Sequence, residues 1–320
     1  MNRRHVSLLV RVTIAVLLLV WLVRSGSLDF GALSIFFDHP ALLVANLALF
    51  VGTFLVAAVR WRLLLQVSGI PLAFGRAVQL TFAGAFFNVV APGNIGGEVV
   101  KAVYVGRDLS PEQRPRVVLV ALLDRLLAVA GLVVVAVVLN LGARAVQGDS
   151  LLGVPTTAIA ILALVTVILP VLGLVLVRRF GQRFEGMKVL GRLVAAARLV
   201  SERPGALAIC LALSVGIHVC SIAWFSVVAS TVLDQHVSIA QMATVYPLGM
   251  LSVLLPISYA GFGVGHVAFE RLFVMVGLTG GANVLNVYLI GQVVPCLFGA
   301  IPYLLLKRDA KLLQPASSPR

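Results

Sequence analysis

The sequence predicts an all-α fold, a polytopic membrane helix bundle of about six full spans with two oppositely oriented re-entrant helical hairpins in an inverted repeat. Three observations predict it. Hydrophobic residues make up 60% of the 320 and charged residues 12%, where soluble domains carry about 25% charged residues; mean hydropathy is +1.07. Apolar runs of at least ~18 residues recur, the length a helix needs to cross a hydrocarbon core. Between them, 74–107 and 239–277 are apolar stretches broken by Pro and Gly.

The elements follow in order. Arg3 and Arg4 precede an apolar run, Val6–Val23. It exceeds the ~7–15 residues of a secretory h-region and reads as a retained first span. The second span is 41–59, closed by Arg60-Trp61-Arg62, a basic and aromatic pattern of the membrane interface. After a turn at Gly69–Pro71 comes the broken stretch 74–107. Ser110-Pro111 then starts a helix, and the third span, 117–139, carries Asp124 and Arg125. The fourth span is 157–177. Residues 178–204 form a basic linker. In it Phe180, Phe184, Met187, Leu190 and Val194 recur at helical spacing between basic residues. That pattern fits a helix lying on an anionic membrane face, and equally an ordinary loop helix. The fifth span is 206–232, the second broken stretch is 239–277, and the sixth span is 284–306.

Charge sets the expected orientation. Of the 25 Lys and Arg, all but Arg24, Arg144, Arg271 and Arg125 fall on one side when both termini are cytoplasmic. That is the positive-inside distribution, and a bacterial inner (cell) membrane is the expected location. On this count 74–107 begins and ends on the cytoplasmic side. Its arms, 77–90 and 97–106, are too short to cross a ~30 Å core at about 1.5 Å per residue. A hairpin entering from inside and turning at Pro92–Gly97 is expected. Residues 239–277 would form a matching hairpin entering from outside and turning at Pro256–Gly265. A single integral membrane domain, 1–320, thus holds half one (41–139) and half two (206–306) in opposite orientation. In transporters, paired Pro/Gly-broken segments of inverted halves mark the substrate site.

Other classes fit poorly. The net charge of +13 lies in short loops rather than along a face interleaved with aromatics, so no nucleic-acid partner is expected. Cys210, Cys220 and Cys296 sit in apolar runs without C-x-x-C spacing, which gives neither a disulfide framework nor a metal site. No cofactor is expected. The run 261–265, GFGVG, lacks the strand–turn–helix context of a dinucleotide loop. The run 266–270, HVAFE, is not H-E-x-x-H, and no G-x-S-x-G elbow occurs. No catalytic residue is expected, and no ATP site is visible.

The tips carry a resemblance. Asn88-x3-Pro92-Gly93-x2-Gly96-Gly97-Glu98, then Asp124-Arg125, then Pro256-x4-Gly261-x-Gly263-Val264 resembles the membrane region of lysylphosphatidylglycerol synthases. It is similar also to the related flippase-like UPF0104 proteins, over roughly 5–306. The resemblance implies a flippase-like protein that moves a phospholipid or other amphiphilic lipid across the membrane. In the synthases a separate soluble domain performs aminoacyl transfer; with the last span ending near 306, that domain is not expected here. The alternative is a membrane transferase or accessory subunit acting on lipid-linked sugar or aminoacyl-phospholipid. Implied partners are membrane lipids with an anionic or lipid-linked headgroup, and further a second copy of the chain or a lipid-modifying enzyme. Family members often carry Glu after G-x-G-V-x; this chain has His266 there, with Glu270 four residues on and on the same helix face.

The candidate substrate-binding residues are therefore Asn88, Pro92, Gly93, Gly96, Gly97, Glu98, Lys101, Asp124 and Arg125 in half one. In half two they are Pro256, Gly261, Gly263, His266 and Glu270. Buried intramembrane acids are costly and usually face a polar cavity. On a helix beginning near Gly96, Glu98 and Lys101 share a face. Free amides at that helix start, with Lys101, suit a lipid phosphate. Glu98 is equally placed to pair with Lys101 or Arg125, or to meet a cationic headgroup. Asp124 and Arg125 point in different directions, one into a cavity, or both snorkel at the cytoplasmic interface. Asn88 is placed to cap or cross-link the hairpin. His266 with Glu270 reads as a proton-responsive pair or as an outer-interface pair. His218 reads as a hydrogen-bonded helix contact, and Trp21 and Trp61 as belt or packing residues.

Overall fold

The computed structural model describes residues 31–90, 96–147, 164, 168–181, 190–253 and 264–305. All regular structure among them is helical. In chain order the helices are α1 Gly31–Asp38, α2 Pro40–Val67, α3 Phe74–Val90, α4 Gly96–Gly106, α5 Arg114–Gln147 and α6 Leu169–Phe180. There follow α7 Leu190–Ser201, α8 Pro204–Leu233, α9 Ile239–Val253, α10 Val264–Met275 and α11 Gly281–Leu297. After a turn at 298–299 the helix resumes to Leu305.

Among the described residues, four stretches are long and apolar enough to cross a membrane: Pro40–Val67, Arg114–Leu139, Pro204–Leu233 and Gly281–Leu305. They are the expected second, third, fifth and sixth spans. The expected first span, 6–23, lies outside the described residues, as does the earlier half of the fourth, apart from residue 164; its later half, 168–177, runs into α6. Each broken stretch is a pair of short helices packed on each other: α3 with α4, and α9 with α10. Their tips, 91–95 and 254–263, lie outside the described residues. The basic linker contributes α7, whose Ala197 and Val200 are buried where it packs on α5 and α6.

Local chemistry sets the helix ends. α2 and α8 each carry Pro in the first turn, where a fixed φ and a missing N–H cost nothing. α2 stops at Gly69, whose φ of +77° is reached cheaply only without a Cβ. There Gly69 N donates to Gln66 O at 3.0 Å and Ile70 N to Leu65 O at 2.9 Å, the paired closure of a Schellman end. α10 closes in the same way at Gly277, with Leu278 N donating to Phe273 O at 2.9 Å.

The packing pattern repeats. In the unit α2–α3–α4–α5, each helix packs on the next, and α2 also packs on α5. The unit α8–α9–α10–α11 packs in the same way. Between units, α2 packs on α8; α2 on α11 is matched by α8 on α5, and α3 on α11 by α9 on α5.

The two leading helices, α2 and α8, run antiparallel. Arg60, late in α2, meets Ser214 and Cys210, early in α8. Asn46, early in α2, accepts from Trp224 Nε1 at 3.2 Å, late in α8. A glycine closes each crossing seam. A Cβ on Gly291 of α11 would stand 2.8 Å from Asn46 Oδ1, and one on Gly131 of α5 would stand 2.6 Å from Ser214 Cβ. Small residues allow such close backbone approach between membrane helices.

The two units are filled differently. The second is an aromatic core: Phe225, Phe269, Phe273, Tyr246 and Tyr288 are buried together, with Phe50 of α2 against Tyr288. The Tyr246 and Tyr288 hydroxyls lie 3.0 Å apart. The first holds a smaller apolar cluster around Trp61, Leu64, Leu65, Leu80 and Val117, and beside it the charges described next.

Candidate headgroup site at the first hairpin

Five charged side chains converge from α2, α4 and α5. Arg60 Nε donates to Asp124 Oδ1 at 2.7 Å. Its Nη1 donates to Ser214 Oγ at 2.7 Å, and Ser214 Oγ donates onward to Cys210 O at 2.9 Å. Lys101 Nζ stands 3.4 Å from Asp124 Oδ2 and 4.0 Å from Glu98 Oε1. Arg125 Nη1 stands 3.9 Å from Glu98 Oε2, a buried oxygen with no hydrogen-bond partner among the described residues. The chain is Ser214–Arg60–Asp124–Lys101–Glu98–Arg125.

The inner members are withdrawn from the surface and the outer ones are reachable. Arg60, Lys101 and Asp124 are buried, whereas the Arg125 side chain is 37% exposed and that of Glu98 21%. Among the described residues three cations face two carboxylates, a net formal charge of +1. Buried ions persist only when paired and hydrogen-bonded, and Asp124 meets that condition with a partner on each oxygen. Lys101 also lies over the Trp61 ring, 5.1 Å from its centroid, a cation–π contact strengthened by burial.

Local packing positions the hairpin's share of these charges. Gly97 N donates to Asn88 Oδ1 at 2.7 Å, so Asn88 of α3 caps the first turn of α4 across the hairpin. A Cβ on Gly97 would stand 2.5 Å from Gly84 O and 2.7 Å from Asn88 Oδ1. The arms therefore touch backbone to backbone. This fixes the rotation of α4, and Glu98 and Lys101 fall toward α5.

Several expectations change. The Gly97 amide is not free for a phosphate, because Asn88 occupies it. Glu98 does not choose between Lys101 and Arg125 but lies between them. Asp124 and Arg125 diverge as expected, Asp124 inward and Arg125 outward; the snorkelling alternative fails for buried Asp124. Gly96 opens α4. Pro92, Gly93, Pro256, Gly261 and Gly263 lie outside the described residues. His266 is half-buried in α10. Glu270 accepts from Gly280 N at 3.2 Å and Ala282 N at 3.0 Å, so it caps the start of α11, where a carboxylate also favours the helix dipole. His218 Nε2 contacts Ala128 O at 3.0 Å, a helix contact as expected.

Arg60 and Trp61 are the residues the sequence pattern misplaced. They look like an interface anchor closing a span, but α2 continues to Val67 and both side chains are buried. The missed signal is charge matching: a lone Asp124 within an apolar span requires a cation from another span.

An all-helical bundle with membrane-length spans and a buried charge cluster beside a helical hairpin defines a polytopic membrane protein. The chain belongs to the family described as the lysylphosphatidylglycerol synthase TM region, whose model matches residues 8–302. It is 27% identical over 172 residues to the UPF0104 membrane protein PH1989 of Pyrococcus horikoshii, an alignment covering 52% of this chain and 50% of that protein. The match thus spans about half the length of that relative. No solved structure matches.

Proposed function

We propose that the protein is a flippase-like transporter that moves the headgroup of an anionic amphiphile, a phospholipid or lipid-linked phosphate, across a bacterial inner membrane. The supporting observation is the net-cationic cluster Arg60–Asp124–Lys101–Glu98–Arg125. Charges inside an apolar bundle are costly and are characteristic of ion or substrate pathways. In this reading both termini are cytoplasmic, the two hairpins enter from opposite faces, and the matched units are halves of an inverted repeat. Rocking of one unit against the other would alternate access to the site. The headgroup passes Arg125 and Glu98 while the acyl tails stay in lipid.

Purified protein in liposomes with headgroup-labelled phospholipid tests this. Faster headgroup movement without covalent change is expected, and Glu98→Gln or Lys101→Ala should slow it. Movement unaffected by both substitutions would remove the site from the pathway. A new covalent product would make the protein a transferase instead.

A further inference from the structure

The two hairpins are fastened by different forces. Hairpin two is held by packing: the Gly249 backbone lies against the Phe269 ring, and Gly281 against the Phe269 carbonyl. Tyr246 of α9 bonds Tyr288 of α11 at 3.0 Å. Glu270 adds two bonds to the backbone of the α11 start. Hairpin one also packs, with Val105 of α4 in the apolar cluster that holds Val117 and Val120 of α5, but at its tip end it adds charge. Lys101–Asp124 at 3.4 Å and Glu98–Arg125 at 3.9 Å are the ion pairs joining α4 to α5 among the described residues.

Those pairs are loose. Closed charge-assisted N–H···O bonds measure about 2.7–2.9 Å, the length of Arg60–Asp124, which ties α2 to α5. Every longer pair in the cluster has at least one end on α4, Lys101–Glu98 lying wholly within it. Asp124 is anchored by Arg60, so it stays with α5 when Lys101 leaves. Arg125, the most exposed member, is the first cation an arriving anion meets.

We propose that the phosphate of an anionic headgroup exchanges for the carboxylates of Glu98 and Asp124 at Arg125 and Lys101, and that this exchange releases α4 from α5. A phosphate and a carboxylate compete for the same donors and repel each other. A ligand shifts a conformational equilibrium only by its differential affinity for the two states. With the hairpin latched, the carboxylates hold both cations; with it released, the phosphate does. Binding therefore favours release of hairpin one, while the aromatic packing of hairpin two offers an anion nothing to bind. The inference rests on the headgroup-movement reading and adds the ligand class and the part that moves.

Spin labels at Val103→Cys in α4 and Leu122→Cys in α5 report the distance between the helices. Both positions face outward, 47% and 56% exposed, and the exposed Cys220 is replaced by Ala. Pulsed electron–electron double resonance is recorded in nanodiscs of net-neutral phosphatidylcholine, with and without phosphatidylglycerol. A third arm adds inorganic phosphate to phosphatidylcholine discs. Phosphatidylglycerol should add a longer-distance population; Arg125→Gln and Lys101→Gln, which remove the phosphate's donors together with their half of a latch pair, should leave the distances insensitive to phosphatidylglycerol. Glu98→Gln, which removes one side of the latch, should show the longer population in phosphatidylcholine. The same shift with inorganic phosphate would make the free anion a sufficient ligand; no shift with it assigns the effect to the lipid. Distances unchanged by phosphatidylglycerol, while labelled headgroups still cross liposomes, overturn the latch and leave the transport reading standing. A shift without headgroup movement keeps the latch and overturns that reading.

Discussion

Arg60 and Asp124, 64 positions apart in the chain, form the closed pair of the charge cluster, Nε to Oδ1 at 2.7 Å. Neither side chain reaches the surface, so each is the other's substitute for water. Removing Asp124 leaves Arg60 as a buried charge with no carboxylate partner among the described residues, which costs about 3–5 kcal/mol. Asp124→Asn should therefore lower thermal stability in detergent strongly. Arg60→Met combined with Asp124→Leu should lose less than Asp124→Asn does. A temperature series read by the monodisperse size-exclusion peak measures both. Equal stability of Asp124→Asn and wild type would mean the pair is not buried as described.

Gly97→Ala places a methyl against Gly84 O and Asn88. Overpacking at a well-packed contact costs typically about 1–3 kcal/mol, and here the obstacle is backbone, which cannot rotate aside. The hairpin arms should separate, and headgroup movement in liposomes should fall with them. Gly52→Ala and Gly106→Ala meet nothing within 4 Å and serve as controls that should keep wild-type stability. A Gly97→Ala protein as stable and active as these controls would contradict the close approach of α3 and α4.

Asn88→Ala removes the acceptor for Gly97 N. Loss of a capping side chain costs about 1 kcal/mol, and Asn88→Asp should restore most of it by keeping the oxygen. Hydrogen exchange over 96–106 is the suitable measurement. Protection there should fall for Ala and hold for Asp. The same loss with both would show that the cap does not depend on the side-chain oxygen.

Glu270 separates two roles cleanly. As a cap on Gly280 N and Ala282 N it uses both oxygens, so Glu270→Gln, which keeps one acceptor, should lose less stability than Glu270→Ala and keep headgroup movement. A charge-bearing headgroup contact would fail with Gln as well. Comparing melting temperature and headgroup movement for the two variants decides between the roles.

Much of this was written in local patterns. Apolar runs locate the membrane-length helices because a helix must satisfy its own backbone in lipid, and the Pro/Gly breaks locate the two hairpins. Glu98 and Lys101 are three apart on one helix, so their shared face is a local property, and the structure keeps it. What local pattern does not carry is which helices touch. Arg60-Trp61-Arg62 has the composition of an interface, and only the crossing of α2 with α5 and α8 turns Arg60 and Trp61 inward. Glu270 shares a helix face with His266 in sequence, yet its carboxylate goes to backbone amides that begin another helix. Backbone donors leave no mark in the amino-acid sequence.

The antiparallel crossing of α2 and α8 bears on how the chain is inserted. Turned upside down, one leading helix presents roughly what the other presented before, down to a polar side chain seated on a glycine. The seam between the two leading helices then says little about which end faces which compartment, although the units on either side of it are filled differently. That choice falls to basic residues outside the spans, such as the exposed Arg178 and Arg179, acting through the positive-inside bias. The expected seat of up and down is therefore the loops, where a few arginines weigh more than the seam does.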